Sequence, residues 1–133
     1  MKRPAAYLLA STLVALALVL SAVAGETNSV RRVSVEEFEK LAQAGTNIVL
    51  DVRTKKEFAA GRIAGAKNLD VNSSDFEKEV DKLDKTKVYL VHCASGRRSR
   101  VACEKMQQAG FRTLMEMSAG MRGWEKAGKP VEK

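Results

Sequence analysis

Two short apolar runs constrain this chain most: NIVLDVR at 47–53 and KVYLVHC at 87–93. Neither alternates apolar with polar residues, as a strand with one wet face would. Both read as strands buried on two faces, the habit of parallel sheets covered by helices on either side. The segments around them carry helical signals. Ser34-Val35-Glu36-Glu37 has the form of a capping box, in which a hydroxyl caps the third amide on and the Glu reaches back. Phe38 and Leu41 then share a face, and Gly45 supplies the stop. Thr54-Lys55-Lys56-Glu57 repeats the box before a short helix ending at Gly61. Ser74 is placed to cap a helix carrying Phe76, Val80 and Leu83 at helical spacing. The segment from Arg97 to Gly110 reads as helix, with Val101, Ala102, Met106 and Ala109 expected on one side. VRRVS, AKNLDV and FRTLMEM are the other strand candidates, the first of them edge-like. A short helix around Trp124 closes the chain before Gly128 and Pro130. Strand and helix in alternation imply an α/β fold, a mainly parallel sheet with helices on both faces. Sites in such folds gather at the carboxyl ends of the strands. Cys93 stands at that end of the most apolar one.

The first residues have a different character. Lys2 and Arg3 precede an almost wholly apolar stretch from Leu8 to Val23, followed by Ala22-Val23-Ala24. This is the layout of a secretory signal peptide, with cleavage expected after Ala24. The alternative is a retained anchor, but the core is short of the about 20 apolar residues a spanning helix needs. Gly25, Glu26, Thr27 and Asn28 follow it, not a basic stop. The expected division is a signal peptide at 1–24 and one domain at 25–133, placed in the periplasm or secreted. Contact with a membrane is expected only through an uncleaved signal segment.

The formal charge is +7, and Lys2 and Arg3 supply two of it, leaving +5 for the expected mature chain. Nucleic acid is a poor fit as partner, because no aromatics interleave with the basic residues to form a stacking platform. Attraction of small anions is the better use of the charge. The periodicity marks no apolar face for a second copy, so oligomeric state is left open. Cys93 and Cys103 are the only cysteines and His92 the only histidine, too few for a structural zinc site. If Arg97 onward is helical, Cys103 lies roughly 9 Å along it at about 1.5 Å per residue. A disulfide needs Cα atoms within about 7 Å, so the pair is expected to stay reduced.

The turn after the second strand is where chemistry is expected. In VYLVHCASGRRSR, Gly96 lets the backbone curl tightly, and the amides that open the next helix have no intrahelical partner. If Ala94 to Ser99 curl around the Cys93 sulfur, those amides point at it and favour an anion there. A thiol so placed ionises more easily and becomes a nucleophile. Arg97, Arg98 and Arg100 add positive charge at the mouth, suited to a doubly charged oxyanion. The plain alternative is a small buried hydrophobe at a strand end.

The ordered segments VLDVRTKKEFAAGRIAGAKNLD, VYLVHCASGRRSR and AGFRTLMEMSAGMRGWEKAGKP, with the helix between the last two, resemble single-domain rhodaneses, the thiosulfate sulfurtransferase-like proteins. The likeness spans roughly residues 29–131, and small exported members share the layout. It implies a three-layer rhodanese-like fold with a five-stranded, mainly parallel sheet. It implies a loop of Cys93, Ala94, Ser95, Gly96, Arg97 and Arg98 whose amides wrap the sulfur, with Cys93 as catalytic residue and the other five binding substrate. A small anionic sulfur donor such as thiosulfate, an acceptor such as cyanide or a thiol, a Cys93 persulfide between them and no cofactor or metal follow. A sulfur carrier serving a protein partner, with little small-molecule turnover, is the alternative. The chain departs from the family pattern at Arg62 and Ala64, where His and Pro are frequent, and at Ala94, where Arg is frequent. Related phosphatases and arsenate reductases carry Arg six positions after the cysteine. Here that position is Ser99, with Arg98 one before and Arg100 one after.

Quieter roles are expected elsewhere. Arg53 is expected to pair with Glu57, and Asp51 to fix a turn. His92, last in a buried strand, is expected to satisfy a hydrogen bond. Cys103 fills core, and Trp124 anchors the last helix.

Overall fold

The computed structural model describes residues 28–133. The expected signal peptide therefore lies outside the described residues. Five strands form one sheet: β1 (Ser29–Arg32), β2 (Ile48–Asp51), β3 (Lys67–Asn68), β4 (Val88–His92) and β5 (Thr113–Glu116). Their order is β1-β5-β4-β2-β3, and every pairing is parallel. Among the described residues five helices connect and follow them: α1 (Val35–Gln43), α2 (Lys55–Ala60), α3 (Phe76–Asp81), α4 (Arg97–Gln108) and α5 (Gly120–Lys126).

The two-residue period of a strand sorts the core into two halves. From β2 and β4, Leu50, Tyr89 and Val91 point to one face and meet Phe76 and Val80 of α3 and Ala102, Cys103 and Met106 of α4. Val49 and Leu90 point to the other face and meet Phe38 of α1 and Met121 and Trp124 of α5. The apolar runs are continuous because both faces are covered, and the result is the three-layer α/β arrangement expected. Trp124 anchors α5 as expected: its ring meets Phe38 edge-on at 6.2 Å, and its Nε1 donates to the Pro130 carbonyl at 2.8 Å.

Local motifs fared unevenly. The Thr54 capping box is complete, with the Glu57 amide donating to Oγ1 and the Glu57 carboxylate accepting from the Thr54 amide. The Ser34 box is half made: Ser34 Oγ accepts from the Glu37 amide, but the Glu37 carboxylate turns to Arg31 of β1 at 2.6 Å. Ser74 does not cap α3. The helix begins after Asp75, whose amide instead donates to Ser73 Oγ at 3.2 Å. AKNLDV shrinks to two paired residues. Val101 is 41 % exposed, not inward. The buried face of α4 is Ser99, Ala102, Cys103 and Met106, which is the i, i+3, i+4, i+7 stripe.

Candidate active site

Cys93 follows β4 directly, and α4 opens four residues later. Between them the chain makes a tight loop in which Gly96 has φ +96, a conformation in the positive-φ range that glycine adopts without penalty. A Cβ on Gly96 would also stand 2.6 Å from the Ser118 carbonyl oxygen, so glycine is required twice over. The first two carbonyls of the loop are taken up by α5: the Met121 amide donates to Cys93 O at 2.8 Å and the Arg122 amide to Ala94 O at 3.1 Å. With these two carbonyls held away, the loop turns amides toward the sulfur. Gly120, against whose Cα side the Ala94 carbonyl packs, allows this approach.

The Cys93 sulfur is 1 % exposed as a residue and accepts from the Gly96 amide at 3.1 Å. The Ser99 hydroxyl lies 3.5 Å away. Burial pushes the thiol up, but the Ser99 hydroxyl and the amides of Ser99, Ser95 and Gly96 more than offset it, leaving the thiol below its ordinary pKa. Hydrogen bonds to the charged form have this effect. Cys103, within α4, provides a contrast. Burial, with added charge from Glu116, Cys93 and Glu104, pushes it up to about 12. Both thiols are free.

Of the expected loop residues, Ser95 and Gly96 bring amides to the sulfur. Ala94 contributes a carbonyl to α5. Arg97 reaches a cleft of about 530 Å³ that runs beside the loop and is shared with Arg32, Arg100, Glu104, Glu116 and Ser118. Arg98 is not free at the mouth. Its guanidinium makes a two-pronged pair with Glu57 at 2.7 and 2.8 Å, and that pair with the two Thr54 contacts holds Glu57 at about 2. The expected Arg53–Glu57 pair is therefore replaced. Arg53 binds Asp51 through Nη2 at 2.7 Å and the Gly61 carbonyl at 2.7 Å, all buried.

His92 points to the opposite face from Cys93, where Phe38 meets it edge-on at 5.8 Å. Nδ1 lies 3.1 Å from the Cys93 carbonyl, which can only accept, so Nδ1 carries the proton. Burial lowers its pKa, opposed by the nearby Asp51 charge, and the ring is neutral. Its Nε2 is buried without a hydrogen-bond partner among the described residues.

Two side-chain roles pass unnoticed in the sequence, those of Ser99 and Glu116. Ser99 Oγ contacts the Cys93 sulfur, and it donates toward Glu116 Oε1 at 3.3 Å. Glu116 is 2 % exposed. Its signal was there to read: like Asp51 in β2, it is an acid inside an apolar strand, and a buried charge needs partners.

Comparison with known proteins places this geometry. The Rhodanese-like domain model matches residues 34–127. The chain belongs to the rhodanese-like family. It is similar to the putative sulfurtransferase YtwF of Bacillus subtilis, 31% identical over 102 residues, covering 76% of this chain and 96% of that one. It is also similar to the thiosulfate sulfurtransferase GlpE of Pseudomonas fluorescens, 32% identical over 95 residues, covering 71% and 84%. A putative sulfur carrier protein of Bacillus subtilis, YrkF, is 29% identical over 98 residues, covering 73% and 52%. Among solved structures, a rhodanese-related protein from Thermoplasma volcanium superposes with TM-score 0.68 at 29% identity, covering 77% and 97%. These relatives support a sulfur-transfer role for this rhodanese-like chain.

Proposed function

We propose that this rhodanese-like domain is a sulfurtransferase that moves sulfane sulfur from a donor such as thiosulfate to cyanide or a thiol through a persulfide on Cys93. The observation that carries the reading is the sulfur held by the Gly96 amide and the Ser99 hydroxyl at the carboxyl end of β4. The Cys93 thiolate attacks the outer sulfur of thiosulfate. A new S–S bond forms, the donor's own S–S bond breaks, and sulfite leaves with the bonding pair. Cyanide then attacks the outer sulfur of the persulfide, thiocyanate departs, and Cys93 returns as thiolate. Splitting one exchange into two displacements is the general benefit of a covalent intermediate. The inward amides stabilise negative sulfur before and after the first step, as an oxyanion hole does. The cycle calls for no cofactor. Arg97 and Arg100 in the cleft draw the anionic donor, while Arg98 holds the loop to α2 through Glu57.

A second reading is a sulfur carrier that hands its sulfur to a protein partner. The burial of Cys93 and the likeness to YrkF favour it. We place either role outside the cytoplasm, in the periplasm or secreted, on the signal-like N-terminus.

Thiosulfate:cyanide transfer by the purified protein tests the enzyme. Turnover is expected, and Cys93→Ser should abolish it. Activity that survives Cys93→Ser would overturn the mechanism. One added sulfur on Cys93 without turnover would favour the carrier.

A further inference from the structure

We propose that Glu116 sets the nucleophilicity of Cys93 by competing with the sulfur for the single proton of the Ser99 hydroxyl. The proposal rests on the reading of Cys93 as the sulfur-bearing nucleophile and adds a residue to that site. A serine hydroxyl has one proton to donate and two lone pairs to accept with. Around Ser99 Oγ stand three groups able to take that proton: the Gly96 carbonyl at 3.2 Å, Glu116 Oε1 at 3.3 Å and the Cys93 sulfur at 3.5 Å.

While Cys93 is a thiol there is no conflict. The S–H donates to Ser99 Oγ, and Ser99 passes its own proton on to Glu116 or Gly96. When Cys93 ionises, its sulfur turns from donor to acceptor, and the same hydroxyl must now serve it. A carboxylate is the stronger rival, because hydrogen bonds to ionised acceptors are roughly twice as strong as neutral ones. Each time Ser99 serves Glu116, the thiolate loses a donor.

The sheet fixes this geometry. Residues 114 and 116 of β5 share a face by strand alternation, and Leu114 lies with Cys93 and Cys103 in the core half under α4. The Glu116 backbone is pinned by the Val33 amide at 2.9 Å. Glu116 has another source of protons: Ser118 Oγ also donates to Oε1, at 3.3 Å. Ser118 therefore decides how hard Glu116 draws on Ser99.

Other charged groups face the same region. From β1 comes Arg32, and from α4 come Arg97, Arg100 and Glu104, with the Cys103 thiol beneath. Arg98, tied to Glu57 of α2 and also feeling the Asp70 charge, completes the set near the sulfur. His92 faces away. None of these is altered in the variants below, so differences among the variants isolate the hydroxyl.

The test is the pH dependence of Cys93 alkylation by iodoacetamide, a neutral reagent, in the full chain, with Cys93 followed by peptide mass. In Glu116→Gln the midpoint should fall, and alkylation below the midpoint should run about tenfold faster, one pKa unit's worth. In Ser118→Ala the midpoint should rise, because Glu116 then depends on Ser99 alone. In a Ser99→Ala background, Glu116→Gln should lose most of its effect. A midpoint that stays put or moves the opposite way in Glu116→Gln or Ser118→Ala overturns the proposal. So does an equal shift with and without Ser99, which would make Glu116 a charge acting through space. Should Glu116→Gln fail to fold, the upward shift in Ser118→Ala still decides. Sulfur transfer is not measured in this experiment, so failure of the sulfurtransferase reading shows separately, as absent turnover in a protein whose thiol titrates as described.

Discussion

At the sulfur of Cys93, desolvation and hydrogen bonding pull in opposite directions. Removal from water favours the thiol, whereas the Gly96 amide at 3.1 Å and its neighbours favour the thiolate. Hydrogen bonding prevails because the Cys93 and Ala94 carbonyls are taken up by α5, which leaves loop amides to face the sulfur. A second buried charge, Asp51, plays a different part. Its buried carboxylate takes the Arg53 amide and guanidinium, and Arg53 in turn ties down the Gly61 carbonyl. Removing one partner strands the other charge in the interior, which typically costs about 3–5 kcal/mol. Asp51→Asn should therefore lower unfolding free energy by about 3 kcal/mol in urea titration. A loss under about 1 kcal/mol, the range of exposed pairs, would mean that water reaches Arg53.

Between elements, the link from α2 to α4 is the Glu57–Arg98 pair at 2.7 and 2.8 Å. Glu57 is held at about 2 against an ordinary 4.5, first by Arg98 and then by Thr54, while burial opposes. A carboxyl whose folded pKa is depressed stabilises the fold above its unfolded pKa and loses that contribution as pH falls through the folded value. The stability difference between the wild type and Glu57→Gln should thus be full above about pH 5 and vanish by about pH 1, below both pKa values. The pair is partly exposed, so the difference should not exceed about 1 kcal/mol. A difference that stays at its full size down to about pH 1 would contradict the assignment. This pair also marks the limit of reading elements from sequence. The Thr54 box is made within four residues and was legible. The same Glu57 bonds Arg98 across 41 positions, and no local pattern announces that. Ser99 and Glu116 are likewise 17 apart and meet only because β5 lies beside β4. Val101 was misplaced by a subtler error: an apolar residue next to the buried stripe of α4 reads as part of it until the helix phase is fixed.

Over the whole molecule, charge and topology act together. The parallel order places the carboxyl ends of β4 and β5 side by side, so the Cys93 loop, Ser118 and the start of α5 converge on one edge. Strand alternation and the strand-end cysteine were enough to foresee that edge. Arg97, Arg98 and Arg100 were expected there together, and only the structure shows how pairing sorts them: Arg98 is bound to Glu57 at 2.7 Å, whereas Arg97 and Arg100 line the cleft, Arg100 with Glu104 at 3.7 Å. With a formal charge of +7 on the chain, attraction of an anionic donor should depend on salt. Replacing Arg97 and Arg100 together by Gln should raise the KM for thiosulfate at low ionic strength, with the effect fading as the Debye length falls to about 8 Å near physiological salt. An unchanged salt response would leave these arginines without a role in donor capture. In the proposed mechanism Cys93, and not Cys103, carries the transferred sulfur. Peptide mass analysis after exposure to thiosulfate tests it most directly. One added sulfur on the peptide bearing Cys93, removed by cyanide, is predicted; an unmodified Cys93, or sulfur found on Cys103, would contradict it.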